Sequence, residues 1–218
     1  MSTPASNLES ESPSSRVDKQ GICYQGKEQM TELFNQLNLK YIERVLYTKE
    51  CFGYARLKKT DHSEYNADPA YYDEMTEKYG ALVRSAYLAP VYVKWCSDEV
   101  GYGVFASEDI PAGSLIGEYA GVVALKRFVK NKTWSWRYPS RGDFEGKLKC
   151  DLSLDGGIYG NELRFINHSD DLNTCPIEVH DGTTWVNCYY ASKDINKDHE
   201  VFVSYGENYW KDRAKIIL

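Results

Sequence analysis

The feature that most constrains this chain is a dense polar run, RFINHS, at residues 164–169. Phe165 and Ile166 can be buried, whereas the flanking side chains carry hydrogen-bond donors and acceptors that are costly to bury without partners. Such a run is typical of the floor of a pocket, although a polar turn beneath a strand would satisfy the same groups. The rest of the sequence distinguishes between a pocket floor and a polar turn.

Short strand-like segments surround the polar run. After Pro90, β-branched and aromatic residues alternate with glycine and proline turns, which predicts a series of strands. These segments are 91–95, 103–106, 115–119, 149–154, 177–180, 184–190 and 200–203. An irregular insert with basic and aromatic residues spans 124–149. Many short strands with little helix predict a compact, mainly β fold.

Residues 21–88 are predicted to form a helical N-terminal subdomain, preceded by a disordered tail at residues 1–20. The tail is rich in Ser, Pro, Thr and Glu and has almost no large apolar residue to bury. Apolar residues recur at three- and four-residue spacing from Met30 to Leu46, which predicts a first helix. Pro69 can begin a second helix. Its predicted apolar face carries Tyr72, Met75, Tyr79 and Leu82. We interpret both apolar faces as packing surfaces, with a binding groove as the alternative.

Composition limits the classes of partner. Of the 218 residues, 42% are apolar, and no run is long enough to span a membrane, so we expect a soluble protein made in a cytosol. The balance of 26 basic and 32 acidic residues argues against a broad grip on a phosphate backbone and favours a basic partner. We therefore expect no direct binding of nucleic acid and no membrane association. The sequence does not indicate an oligomeric state.

The six cysteines do not have the spacing of a metal cluster. Cys175 and Cys188 are 13 residues apart and every other neighbouring pair is farther apart, with no C-x-x-C pair. Zinc sites and small disulfide frameworks use tighter spacing, so we predict free buried thiols and no metal site.

A glycine-rich segment at residues 101–106, GYGVFA, matches the G-x-G-x-x-A form of a dinucleotide-binding fingerprint. That interpretation requires a helix beginning at the second glycine. Pro111 and Gly113 follow too closely, and β-like residues flank the motif on both sides. The segment is better interpreted as a strand and loop whose glycines let a ligand approach the backbone, with a plain turn as the alternative.

Four segments taken in order resemble the SET-domain protein lysine methyltransferases. They are GYG at 101–103, GEYAG at 117–121, RFINHS at 164–169 and EVFVSYG at 200–206. The resemblance extends over roughly residues 91–209. It implies a SET domain at residues 89–206, made of small curved sheets around a knot-like crossing. Many SET enzymes carry zinc-binding cysteines on both sides of the domain, and this chain departs from them.

The resemblance implies a site for S-adenosylmethionine, with Asn167 and His168 matching the pair that binds its methionine moiety. The implied cofactor-binding residues are Gly101, Tyr102, Gly103, Trp136, Asn167, His168, Tyr205 and Trp210. The amide of Asn167 offers two donors and an acceptor. Residues 207–218 are predicted to form a lid in which Trp210 stacks on the adenine, anchored by residues 216–218; a frayed terminus is the alternative.

Tyr205 matches the active-site tyrosine of the family, and Tyr119 matches one that lines its lysine channel. Methyl transfer needs a neutral amine, and with a pKa of about 10.4 only roughly one lysine in two thousand is neutral at pH 7. An apolar, tyrosine-lined channel beside a cationic sulfonium disfavours the ammonium form by desolvation and by like charge. Both tyrosines are therefore predicted as catalytic residues. Val203 occupies a position where the family often has Phe or Tyr, so the number of methyl groups added stays open.

The function implied by the resemblance is methylation of lysine in histones or other lysine-rich protein tails. Two alternatives stay open: a catalytically weak module that only binds basic peptides, and a methyltransferase for a ribosomal or small-molecule substrate. The zinc-free form and Ser-rich start resemble bacterial SET proteins that act on host chromatin. That likeness implies a secreted effector working in a host nucleus.

Overall fold

The computed structural model describes residues 21–55, 58–130, 133–138 and 152–211. The predicted tail, residues 131–132 and 139–149 of the predicted insert, and the anchor at residues 216–218 lie outside these ranges. The strands are β1 (Cys23–Tyr24), β2 (Lys40–Tyr41), β3 (Leu46–Tyr47), β4 (Val91–Ser97), β5 (Gly101–Ala106), β6 (Leu115–Glu118), β7 (Val122–Leu125), β8 (Ser135–Arg137), β9 (Leu152–Asp155), β10 (Tyr159–Gly160), β11 (Asn167–His168), β12 (Thr174–His180), β13 (Trp185–Ala191) and β14 (Phe202–Val203). The helices are α1 (Gly26–Gln36), α2 (Phe52–Ala55), α3 (Ser63–Ala67), α4 (Pro69–Arg84) and α5 (Glu207–Trp210). Short 3₁₀ turns cover Lys59–Asp61, Lys126–Phe128 and Glu162–Phe165.

The strands of the described residues form small separate sheets. Their orders are β1-β4-β5, β10-β2, β11-β14, β12-β13-β6 and β3-β7-β9-β8. The mainly β fold predicted from the sequence is confirmed, and β5 runs through both glycines of the GYGVFA motif. Because no helix begins at the second glycine, the dinucleotide-binding interpretation is excluded. Strand β7 was not predicted, because its second half falls within the insert that the sequence places at residues 124–149.

The predicted first helix is too long. Helix α1 ends at Gln36, and Asn38 takes a positive φ of 56° that a continuing helix cannot accommodate. The residues beyond it pair in parallel with the later domain: β2 with β10, and β3 with β7. Segment 21–88 is thus interleaved with the sheets through β1, β2 and β3, and the domain boundary at residue 88 stays a prediction.

Helix α4 begins where the sequence predicts. Pro69 occupies its first turn, and the Asp68 carboxylate accepts a hydrogen bond of 3.2 Å from the backbone N–H of Tyr71. Its buried face carries Tyr79 and Val83, which pack on β6, β12 and β13. Leu82 was assigned to this face wrongly, because its side chain is 37% exposed.

The five described cysteines are all unbonded, but Cys23 and Cys96 are exposed, so the prediction of buried thiols holds only for Cys51 and Cys188. Cys150 lies outside the described residues. Within the described ranges no three metal-ligating side chains come together, and no helix has the length and apolar content of a membrane span. The absence of a metal site therefore stays a prediction.

Candidate active site

The polar run at residues 164–169 begins in a 3₁₀ turn and ends in β11. Strand β11 pairs in parallel with β14, so that Asn167 lies opposite Phe202 and His168 opposite Val203. Asn167 and His168 are both buried, and Ile166 is 3% exposed. The pairing brings two segments distant in sequence together and places the start of the EVFVSYG motif against the polar run.

Asn167 uses both of its amide N–H groups within the protein. Nδ2 donates to the backbone oxygen of Tyr102 at 3.2 Å and to Glu200 Oε1 at 2.8 Å. The remaining polar atom, Oδ1, is an acceptor. Asn167 can therefore accept a hydrogen bond from an ammonium group through Oδ1, while both of its donors are used within the protein.

Glu200 is a site residue that the sequence analysis missed. Its carboxylate lies over Gly103, where a Cβ atom would overlap Oε1 and would lie 2.8 Å from Cys96 Sγ. Burial raises the pKa of the Glu200 carboxyl group. The hydrogen bond from Asn167 and the charge of Lys94 oppose this increase. A side chain at position 103 would have to displace the Glu200 carboxylate and the Cys96 thiol, and the Gly103 backbone, Asn167 and Glu200 form one polar corner.

Gly101 and Tyr102 contribute backbone to this corner. Gly101 has a φ of 80°, which favours glycine. The Tyr102 ring points into the core, where it packs against Tyr24, Trp95 and Phe165. Tyr102 binds Asn167 through its backbone carbonyl oxygen, which accepts the hydrogen bond from Nδ2.

His168 and Tyr205 are joined directly. His168 Nδ1 lies 3.2 Å from the backbone N–H of Tyr205 and 3.2 Å from the backbone oxygen of Val203, so it accepts in the first contact or donates in the second, depending on the tautomer. Asp170 Oδ1 lies 3.5 Å from His168 Nε2. The Tyr205 hydroxyl donates to the backbone oxygen of Ile166 at 2.7 Å, so its lone pairs are left to accept.

A cavity of about 750 Å³ is lined in part by Tyr205. Its lining includes Tyr119, Trp136, Tyr189, Val203 and Tyr205. Tyr119, Trp136 and Tyr189 pack against one another with ring centroids 5.0–6.3 Å apart. Trp136 therefore belongs to the wall of the cavity and contacts the tyrosines, and its contact with the cofactor stays a prediction.

Tyr189 was also missed by the sequence analysis. It lies in β13 opposite Gly117, at a register shift between residues 189 and 190. The alternation of inward and outward residues along a strand does not reveal such a register shift.

Burial keeps the three tyrosine hydroxyls neutral. It raises the pKa of Tyr119 and Tyr205, and it raises the pKa of Tyr189 well above its ordinary value. A phenol with a raised pKa does not serve as a base near neutral pH. These side chains can only shape the cavity and form hydrogen bonds.

The Asn161 side chain holds Tyr119 in place. Nδ2 donates to the backbone oxygen of Glu118 at 2.7 Å, and Oδ1 accepts from the backbone N–H of Ala120 at 3.3 Å. These two contacts bracket Tyr119 as a neighbouring strand would. The Tyr119 hydroxyl then donates to the backbone oxygen of Trp134 at 3.2 Å.

Helix α5 covers the His168–Tyr205 pair. The Trp210 ring lies 4.9 Å from the His168 ring and 6.0 Å from the Tyr205 ring, nearly parallel to the latter. Tyr209 packs edge-on against Tyr205. Among the described residues, the buried Trp210 indole nitrogen has no hydrogen-bond partner.

Comparison with known proteins agrees with this arrangement. A family model described as the SET domain matches residues 101–206. The "Histone-lysine N-methyltransferase EZH2" of Chaetomium thermophilum is 35% identical over 167 residues, which cover 69% of this chain and 11% of that protein. The "Putative histone-lysine N-methyltransferase ASHH4" of Arabidopsis thaliana is 30% identical over 111 residues, covering 50% and 31%.

A solved structure, that of ATXR5 in complex with histone H3.1, superposes with a TM-score of 0.58 at 14% identity. The match covers 86% of this chain and 88% of that one, and it shows a shared fold. The small sheets are thus those of a SET fold, and the chain contains a SET domain over residues 101–206. It spans between a tenth and a third of the two curated relatives described.

Asn161→Ala tests the bracket around Tyr119. It leaves two backbone groups of the Tyr119 turn without partners, so the free energy of unfolding should fall by about 1–3 kcal/mol or more, measured by urea denaturation. Asn196→Ala is the matched control, since this asparagine is exposed and should change stability by less than about 0.5 kcal/mol. Equal stability of the two variants would mean that the bracket contributes nothing.

Proposed function

We propose that this chain is an S-adenosylmethionine-dependent protein lysine N-methyltransferase that acts on histones. The observation that carries the proposal is the position of Tyr205. Its ring lines the cavity and also packs on His168 and Trp210. One neutral phenol therefore contacts both the cavity, which is the proposed lysine channel, and His168, the neighbour of Asn167 in the polar corner proposed to hold the methionine end of a cofactor.

The residues of the polar corner fit S-adenosylmethionine. Asn167 Oδ1 and the half-buried Glu200 carboxylate are acceptors suited to its ammonium group. The bare backbone at Gly101 and Gly103 permits close approach, and the buried indole N–H of Trp210 is a donor available to a ligand. When bound, the cofactor supplies an electrophilic methyl group on a cationic sulfur.

The cavity residues would prepare the lysine. The rings of Tyr119, Trp136 and Tyr189 would place apolar surface beside the lysine, and this desolvation disfavours the ammonium form. The Tyr205 hydroxyl donates its hydrogen bond to the backbone oxygen of Ile166, so its oxygen can accept an amine N–H while the nitrogen lone pair stays free. The lysine proton leaves to solvent, and the protein contributes alignment, which can supply up to about 7–11 kcal/mol.

A histone substrate is supported by the two curated relatives, which carry that activity in their names. The net charge of −6 suits a basic tail. This substrate assigns the protein to chromatin in a nucleus. Export as a secreted effector stays a prediction from the Ser-rich start.

The direct test is methyl transfer from radiolabelled S-adenosylmethionine to purified histones, ribosomal proteins and small amines, with S-adenosylmethionine binding measured by calorimetry. Binding with label in histone lysines is the expected result. Label confined to ribosomal proteins or small amines would reassign the substrate. Peptide binding without cofactor binding would identify a binding module and contradict the proposal.

Tyr205→Phe should lower kcat by about tenfold or more while leaving the affinity for S-adenosylmethionine nearly unchanged. The substitution keeps the ring and removes the hydroxyl that orients the amine. Tyr87→Phe is the control, because Tyr87 is exposed and lies outside the cavity lining. Unchanged turnover in Tyr205→Phe would remove this hydroxyl from the mechanism.

Trp210→Ala should weaken cofactor binding by about fivefold to a hundredfold, the range for loss of a ring that stacks on a base. Trp210→Phe keeps a stacking surface and should lose less. Calorimetry on both variants measures the difference. If the alanine variant is folded and binds with wild-type affinity, α5 is not a lid over the cofactor.

A further inference from the structure

Arg164 is a buried cation in the wall of the tyrosine cavity. Its side chain lines the cavity together with Tyr119, Ile166 and Tyr205, and the residue is only 8% exposed. The contacts of the guanidinium show how its charge is held.

The partners of the guanidinium are backbone carbonyls and aromatic faces. Nε donates to the backbone oxygen of Gly156 and Nη2 to that of Gly157, each at 3.3 Å. The group also lies 4.9 Å from the Trp134 ring centroid and 5.2 Å from that of Phe165. No ion pair within the described residues involves Arg164. Carbonyls and rings solvate a cation without cancelling it, so a net positive charge stays at the cavity wall.

Few ionisable groups face this charge. On β9, Asp155 directs Oδ1 to the backbone N–H of Gly157 at 2.8 Å. The Glu162 carboxylate of the neighbouring 3₁₀ turn accepts from the Tyr41 hydroxyl at 3.1 Å. At the end of β6, burial raises the pKa of Tyr119, and the Arg164 charge opposes that shift while Asp155 adds to it. The Arg164 field is therefore felt at Tyr119, inside the cavity.

We propose that Arg164 disfavours the ammonium form of the incoming lysine, so that the lysine is partly discharged by the protein before the cofactor contributes its own charge. This inference rests on the proposed function. Two like charges in a desolvated cavity repel more strongly than in water, and the repulsion is relieved when the lysine releases a proton to solvent. Arg164 cannot relieve it, because a guanidinium keeps its proton throughout the working range.

The test is the pH dependence of kcat in Arg164→Gln and Arg164→Lys. Removing the charge in Arg164→Gln should move the apparent pKa of the rising limb upward by about one unit, because the bound lysine then loses its proton less readily. At high pH the Arg164→Gln rate should return to within about threefold of wild type. Arg164→Lys keeps the charge and should keep a profile close to wild type. A merely structural role would lower the rate equally at every pH and would give no rescue by lysine.

Arg44→Gln is the matched control. Arg44 is also partly buried beside the GEYAG segment, but its charge is paired with Glu118 and Asp181, each at 3.3 Å. Its removal should leave the apparent pKa of kcat where it is in wild type. An equal shift in both variants would overturn the inference, since it would follow from any arginine lost near the domain core.

A second measurement uses the wild-type protein alone and covers the case in which Arg164→Gln does not fold. The ammonium group of an isotope-labelled lysine peptide is titrated by NMR while bound without cofactor. We expect its pKa to lie below the value of about 10.4 for a free lysine. An unshifted pKa in a protein that does methylate the peptide overturns the inference alone. A wild-type protein that transfers no methyl group to any lysine overturns the proposed function, and the inference with it.

Discussion

The parallel pairing of β11 with β14 is the interaction on which the site depends. Each strand contributes two residues, too few to hold register by their own ladder. Asn173 completes the pairing: its amide donates to the backbone oxygen of Glu200 and accepts from the backbone N–H of Phe202, both at 2.8 Å. Thr174 adds a hydroxyl bond of 2.7 Å to the Phe202 oxygen. Without this register, Tyr205 would not meet His168.

The same device recurs at the other wall of the cavity, where Asn161 brackets Tyr119. Asparagine suits both places because one amide can donate and accept side by side, as a strand partner does. The strands at these two places are very short, and buried amides supply the ladder contacts that longer strands would provide. A buried amide also fixes geometry more tightly than apolar packing, because a slip leaves polar groups unpaired.

Sequence patterns predicted the parts of the site that are local in the chain. The RFINHS run contains both the apolar residues Phe165 and Ile166 and the buried Asn167–His168 pair. The GYG and EVFVSYG segments contact this run in the folded chain. The mainly β fold followed from the turn-separated strands. Strands β2 and β3 were taken for helix because two-residue strands have no periodicity of their own. Tyr189 and Glu200 were missed because a register shift and a tertiary contact with Asn167 define their roles.

In the proposed function, Tyr205 lies between the lysine channel and the polar corner that holds the cofactor. A crystal structure with S-adenosylhomocysteine and a lysine-containing histone peptide tests this most directly. We predict the homocysteine ammonium at Asn167 Oδ1 and the lysine nitrogen within hydrogen-bond distance of the Tyr205 hydroxyl, on the side facing Tyr119 and Tyr189. A cofactor bound away from Asn167, or a lysine side chain outside the tyrosine-walled cavity, would contradict the account.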